Sequence, residues 1–129
     1  MISCNKIILA KQIIIDGASN EISIISMFEV LSAKKLPVTL ASSDLLLMLE
    51  KGSKSDQDLQ NFTIKVNIGS KTVLEGKFEI NFQGKKNARN RIYFPPINIK
   101  KKEPLSIKLF NNKRKIAQLN IPVVVENNE

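Results

Sequence analysis

The cations in the last third of this chain are the side chains most clearly suited to binding a partner. Residues 1–84 hold nine Lys against nine acidic residues, whereas residues 85–129 hold eleven Lys and Arg against three acidic residues. The second part therefore carries the whole formal net charge of +8. Positive charge concentrated in one part of a chain attracts phosphates, acidic proteins and anionic membranes. By itself it does not show which of these is the partner.

The spacing of these cations predicts a shared surface. If the last five strands form an up-and-down meander, two basic connections project from the same end of the fold. We call their seven cations the basic pole: Lys85, Lys86, Arg89, Arg91, Lys113, Arg114 and Lys115. Asn side chains in the same connections can add hydrogen bonds to phosphate oxygens or base edges. The three Lys of residues 100–102 are expected at the opposite end, as a separate basic corner.

Most catalytic chemistry has no residues to support it. The chain contains no His, the commonest general base and the commonest ligand of transition metals. Cys4 is the only cysteine and is too isolated for a zinc site, and the glycines form no phosphate-binding loop. Two carboxylates alone can hydrolyse a glycosidic bond, but the aromatic residues that usually line a sugar cleft are scarce. We expect no catalytic residue, no metal and no cofactor.

One polar loop has the oxygen chemistry of a calcium site. Asp56 and Asp58, with Asp16 or Asp44, are the type of ligand that Ca²⁺ prefers. Their spacing is more typical of a solvated polar loop, which is the interpretation that we favour.

The elements that position these residues are strands. Apolar residues recur at every second position, as in antiparallel strands with one buried face. Short turns predict two hairpins, one around Asp16 and Gly17 and one around Gly69. The eight predicted strands cover residues 6–16, 21–31, 38–50, 62–68, 74–82, 92–99, 105–109 and 117–125. The tandem Pro95-Pro96 is expected to break or bulge its strand.

The segment over residues 43–51 is ambiguous. Its continuous apolar run follows Ser43, a good helix cap, and precedes Gly52, a good helix end. We favour a strand, and a short helix stays open as the alternative.

These spacings predict an all-β fold, a single-domain β-sandwich of about eight mainly antiparallel strands over residues 1–129. Residues 126–129 are expected to form a short frayed tail. The apolar runs are far shorter than the ~20 residues that span a bilayer, and no signal peptide is evident. Because a lone cysteine suits a reducing compartment, we expect a soluble cytoplasmic protein that does not insert into membranes.

Residues 13–30 read Ile-Ile-Ile-Asp-Gly-Ala-Ser-Asn-Glu-Ile-Ser-Ile-Ile-Ser-Met-Phe-Glu-Val. This segment resembles the opening of a family of small bacterial all-β proteins of unknown function. In that family an aliphatic strand ends in Asp, a turn ends near Asn, and the next strand ends in a similar Glu-containing pattern. Residues 78–83 are similar to the family's central strand. The resemblance implies an all-β fold and transfers no catalytic or binding residue; Asp16 and Asn20 are interpreted as turn residues.

The sequence favours a non-enzymatic binding or accessory module that docks on a protein partner. Sequence-tolerant nucleic-acid binding through the basic pole is the alternative. It requires exposed rings for base stacking, and the pattern leaves only Tyr93 and Phe110 for that role. A carboxylate-based hydrolase is the second alternative. The pole cations are also explained as solubilising turn residues that need no partner.

Overall fold

The two-residue periodicity of the sequence is realised as strands along nearly the whole chain. The computed structural model describes residues 1–126, and this part contains twelve strands and no helix. The strands are β1 Ile2–Ile15, β2 Ile22–Met27, β3 Leu31–Ala33, β4 Val38–Leu40, β5 Ser43–Lys51, β6 Leu59–Ile68, β7 Lys71–Asn81, β8 Asn87–Phe94, β9 Ile97–Ile99, β10 Leu105–Asn111, β11 Arg114–Ile121 and β12 Val123–Val125. The predicted all-β class is confirmed.

Two four-stranded antiparallel sheets make the sandwich. The first has the strand order β2-β1-β5-β8 and the second has the order β11-β10-β6-β7. Their inner faces share one hydrophobic core, in which Leu47 of β5 and Phe62 of β6 are both almost completely buried. Phe62 stacks on Phe78 of β7 with ring centroids 5.5 Å apart. Burial of this shared apolar surface is the main stabilising contribution to the fold.

Two short strand pairs complete the core. Strand β3 pairs in parallel with β12, and β4 pairs antiparallel with β9. Four of the eight predicted strands are each present as two shorter strands. Pro95-Pro96 separates β8 from β9, as predicted, and Pro122 separates β11 from β12. The backbone N–H of Glu126 donates to the carbonyl of Ala33. The remainder of the predicted tail, residues 127–129, lies outside the described residues.

The predicted meander of the last five strands is wrong. The chain leaves β7 in the second sheet, forms β8 at the edge of the first, and returns to place β10 between β6 and β11. Alternation of apolar residues predicts which face of a strand is buried, but it carries no information about which sheet the strand joins.

Residues 43–51 form strand β5, as we favoured, and not a helix. This strand is covered on both faces. Leu45, Leu47 and Leu49 point into the shared core. Leu46 points the other way and is only 1 % exposed. A strand buried on both faces shows a continuous apolar run instead of alternation, so it is easily mistaken for a helix.

The outer cover of β5 comes from β1. Residues 2–10 of β1 pair with β5, and residues 10–15 pair with β2 instead. We call this second part and β2 the hairpin arm, residues 10–27. Ala10 and Ile13 of the arm form a small apolar cluster with Leu46, and Ile22 packs against it. The arm therefore lies over the outer face of the first sheet.

Because both faces of β5 are covered, Leu46→Ala and Leu47→Ala should each lower the free energy of unfolding by about 2–5 kcal/mol, the range for a large buried side chain that leaves a cavity. Leu59→Ala, at a side chain that is 53 % exposed, is the control and should change it by about 0.5 kcal/mol or less. Urea denaturation measures all three. An effect of Leu46→Ala as small as that of the control would show that the arm does not protect this face.

Candidate functional site

The two connections that carry the basic pole lie at one end of the sandwich, which we call the pole end. Ile2 and Lys51 are paired in the β1–β5 ladder. The N–H of Lys51 donates to the carbonyl of Lys86, and Arg114 donates to the carbonyl of Ile2. The β7–β8 loop and the β10–β11 turn are therefore close to the same pair of strand ends, as the sequence predicted.

Arg89 and Arg91 are not in the loop where the sequence analysis placed them. They lie on β8, opposite Met48 and Leu46 of β5. The first part of β8 resembles a loop in sequence for two reasons. Its outward-facing residues are polar, and Asn90 takes the place of an apolar residue on its inward-facing side. The guanidinium of Arg89 donates to the carbonyl of Asn20, and that of Arg91 donates to the carbonyl of Ile13, both over 2.9 Å. Both acceptors belong to the hairpin arm.

Three other cations of the basic pole also have intramolecular partners. Lys86 Nζ lies 3.0 Å from Glu50 Oε1, and Lys115 Nζ donates to Gln118 Oε1 over 2.7 Å. Arg114 holds Ile2, as described above. Within residues 1–126, Lys85 and Lys113 make no side-chain hydrogen bond or ion pair. Most cations of the basic pole therefore make intramolecular contacts. A role of the basic pole in binding stays a prediction.

Arg89 and Arg91 should hold the hairpin arm on the sheet. The double variant Arg89→Ala/Arg91→Ala removes two charge-assisted hydrogen bonds, so amide hydrogen exchange over residues 11–27 should become about tenfold faster or more. Lys85→Ala/Lys113→Ala removes the same charge from side chains without these contacts and serves as the control. Unchanged exchange in the arm of the Arg variant would contradict an anchoring role.

The acidic residues considered as calcium ligands are also engaged within the chain. Asp56 accepts from the α-amino group of Met1 at 3.0 Å and from the N–H of Ser53. Asp44 accepts from the N–H of Ile13 over 2.9 Å. Asp16 accepts from the hydroxyl of Ser19, which confirms its role in the turn. Residues 1–126 contain no group of three side chains arranged to hold a metal ion.

Asp58 is paired with Lys51, whose side chain is nearly buried at the pole end. The ammonium of Lys51 also lies 5.6 Å from the ring centroid of Phe82, within the range of a cation–π contact. The hydrogen bond from Lys51, supported by one from the backbone of Gly84, holds the pKa of Asp58 below its ordinary value of 3.8. The pair fixes the polar loop of residues 52–58 on the sandwich.

The lowered pKa of Asp58 predicts a loss of stability in acid. A carboxyl group whose pKa is lower in the folded state stabilises that state above its unfolded pKa, here 3.8, and loses this contribution as the pH falls through the folded pKa. The stability difference between the native chain and Asp58→Asn, from urea denaturation, should therefore be largest near neutral pH and shrink well below pH 3.8.

Glu79→Gln, which removes an exposed carboxylate outside the ion pairs, is the control for this comparison. A difference between the native chain and Asp58→Asn that is independent of pH would show that the Lys51 contact does not stabilise the charged form.

A concave surface lies at the opposite end, where the sequence predicted only the basic corner. It is a groove of about 530 Å³ between the start of β7 and residues 95–103, and we call it the β7 groove. Leu105 pairs with Ile68 and the N–H of Gly69 donates to the carbonyl of Pro104, which brings the basic corner beside the β6–β7 turn. A volume of this size is typical of ligand pockets.

The β7 groove combines apolar walls with exposed lysines. Val73 and Leu74 line one side, and Pro95, Pro96 and Ile97 line the other. The cations are Lys71, Lys100 and Lys101, and Glu103 is the one acidic residue of the lining. None of these four takes part in an ion pair within the described residues.

Glu103 lies against Gly69. Its carboxylate occupies the space in which a Cβ at position 69 would lie, and Gly69 has a φ of 58°, in the left-handed region. Glycine is favoured at this position because of the positive φ. The acidic side chain of the groove is therefore packed against the turn, and the three lysines leave the groove with an excess of positive charge.

Residues 100–102 lie at the end opposite the basic pole, as the sequence predicted, but the groove beside them was not predicted. Lys71 and Lys100 are far apart in the chain, and the adjacency of the two segments depends on the chain crossing between the sheets. The signals available were the basic run and the tandem prolines, neither of which predicts a cavity.

The hairpin arm also exposes apolar side chains. Ile14, Ile24, Ile25 and Met27 are each between 41 and 49 % exposed. No charged or concave feature among these side chains indicates the chemistry of a partner, so the β7 groove is the stronger candidate site.

No protein-family model matches this chain, and no curated protein matches it. The resemblance of residues 13–30 to a bacterial family accordingly stays a prediction. Residues 1–126 include no helix with the length and apolar character to cross a membrane.

Proposed function

We propose that this chain is a non-enzymatic binding module that docks on a protein partner, and that the β7 groove receives an acidic segment of that partner. The observation that carries this proposal is a concave surface with apolar walls and three lysines that have no ion-pair partner in the described residues. Binding sites usually combine a mostly apolar pocket with a few charges that orient the ligand.

The contrast between the two ends favours the groove over the basic pole. At the pole end, Lys86, Arg114 and Lys115 have intramolecular partners. The concave surfaces beside Lys85 and Lys113, which are unpaired within residues 1–126, are lined mainly by polar residues and glycine. At the groove end, Lys71, Lys100 and Lys101 are exposed around an apolar floor. An acidic segment gains electrostatic attraction there without breaking existing contacts, and the field of the chain accelerates its approach.

Two observations support binding rather than catalysis. Three of the carboxylates that a hydrolase could use, those of Asp44, Asp56 and Asp58, each serve a structural contact. Burial raises the pKa of the Cys4 thiol, which disfavours the nucleophilic thiolate. A lone, partly buried thiol is also compatible with the reducing cytoplasm that we propose as the setting.

Nucleic-acid binding is the second candidate function. The observation in its favour is that Tyr93 is 65 % exposed and lies two residues after Arg91 on β8, so both side chains project from the same face. A base stacked on Tyr93 would have a cation beside it. Against it, Arg91 already bonds the hairpin arm.

Two triple charge reversals distinguish these candidates. Lys71→Glu/Lys100→Glu/Lys101→Glu changes the β7 groove, and Lys54→Glu/Lys85→Glu/Lys113→Glu makes the same charge change at the pole end. A fluorescent peptide that alternates Glu and Val should bind the native chain with an anisotropy change that weakens as salt rises. The groove variant should lose about tenfold or more in affinity, since three attractive contacts become repulsive. The pole variant should lose about twofold or less.

Equal losses in the two variants would contradict the proposal, because they would show attraction to net charge alone. The absence of peptide binding at low salt would also contradict it. Single-stranded RNA is the comparison probe, and RNA binding that only the pole variant abolishes would favour the second candidate. Arg89 and Arg91 are left unchanged, because their loss disturbs the hairpin arm.

A further inference from the structure

We infer that the acidic segment enters the β7 groove as an added β-strand, paired with the free edge of β7. This inference rests on the proposed function and specifies its geometry. It means that main-chain hydrogen bonds supply part of the affinity and that the occupant is extended, with alternate side chains on opposite faces.

The free edge of β7 borders the groove. β7 pairs with β6 from Lys71 to Asn81, and within residues 1–126 no strand pairs with its other side. Residues 71–74 of β7 line the groove. Four residues of a strand extend about 13 Å. An edge strand has N–H and C=O groups that lack ladder partners, and such groups form a template for an incoming strand.

The part of β7 that lines the groove carries fewer charges than its other half. Glu75, Lys77 and Glu79 alternate along the outer face of the second half, and charges on an edge strand discourage pairing with another chain. The groove half has one charge, Lys71 at its first position, followed by Thr72, Val73 and Leu74, and Val73 is 36 % exposed. Residues 72–74 are therefore the part of the edge that is most open to an added strand.

The β6–β7 ladder is also irregular where β7 lines the groove. Val66 pairs with Leu74 and Asn67 pairs with Thr72, so Val73 is an extra residue that forms a bulge. Bulges increase the local twist of a strand and redirect its side chains, and they recur beside binding sites. Here the bulge coincides with the uncharged part of the edge.

The opposite wall begins with two residues that cannot donate a main-chain hydrogen bond. Proline has no backbone N–H, so Pro95 and Pro96 offer an incoming strand apolar contact without competing donors. Ile97, which follows them, is only 5 % exposed and forms part of the shared core. The occupant is thus held on one side by hydrogen bonds and on the other by contact with two rigid rings.

The side-chain chemistry of the occupant follows from the lining. One face of an added strand would meet the apolar floor beside Ile68 and Leu74, and the other would lie among Lys71, Lys100 and Lys101. Because side chains alternate between faces, the structure favours a segment in which apolar and acidic residues alternate over about four to six positions.

Backbone methylation of the peptide tests this geometry. Two isomers of the Glu-Val peptide are compared with the unmodified peptide: one is N-methylated at every Val and the other at every Glu. Alternate N–H groups of a strand point to opposite edges, so only one isomer loses the donors that face β7. That isomer should bind about tenfold or more weakly, the other should bind close to the unmodified peptide, and the side chains and their charges stay the same.

Amide hydrogen exchange provides a second measurement. Bound peptide should slow exchange in residues 72–75 and leave the amides of β11, the edge strand on the other side of the same sheet, unchanged. Equal binding of both isomers with no protection in β7 would overturn strand addition, while acidic docking in the groove would stand. Failure of the unmodified peptide to bind would overturn both proposals.

Discussion

The burial of β5 on both of its faces is the constraint on which the rest of the structure depends. Leu47 and its neighbours on the inner face join the shared core, and Leu46 on the outer face requires a second cover. That cover must come from elsewhere in the chain, and the long β1 supplies it by pairing first with β5 and then with β2. The guanidinium groups of β8 then fasten the arm to the sheet.

Cations that look alike in the sequence differ in their contacts in the structure. Arg89 and Arg91 compensate backbone carbonyls of the hairpin arm, and Lys51 balances Asp58 at the pole end. The lysines beside the β7 groove make no ion pair within the described part of the chain. A cation that already has a partner must lose that interaction before it binds a ligand, whereas an exposed cation at a concave surface does not. Lys85 and Lys113 are also unpaired within residues 1–126, but among these surfaces only the β7 groove adds apolar walls to its free cations, and this combination is the physical reason for placing the partner there.

Local pattern predicted the strands well because alternation and turn chemistry are short-range properties. The β6–β7 hairpin around Gly69 and the Asp16 turn were predicted from adjacent residues alone, and both are present. The helix alternative for residues 43–51 arose because burial on both faces erases alternation. Lys100 and Lys71 meet only through the crossing between sheets, so their proximity depends on non-local pairing that a single sequence does not display.

The most direct test of the central claim is a map of where an acidic peptide contacts the chain. Backbone amide chemical shifts of the ¹⁵N-labelled protein, followed during titration with the Glu-Val peptide, report this residue by residue. We expect the largest changes in residues 68–75 and 95–103 and none in residues 85–86 and 112–114. Changes concentrated at the pole end, or spread evenly over every exposed lysine, would contradict the central claim.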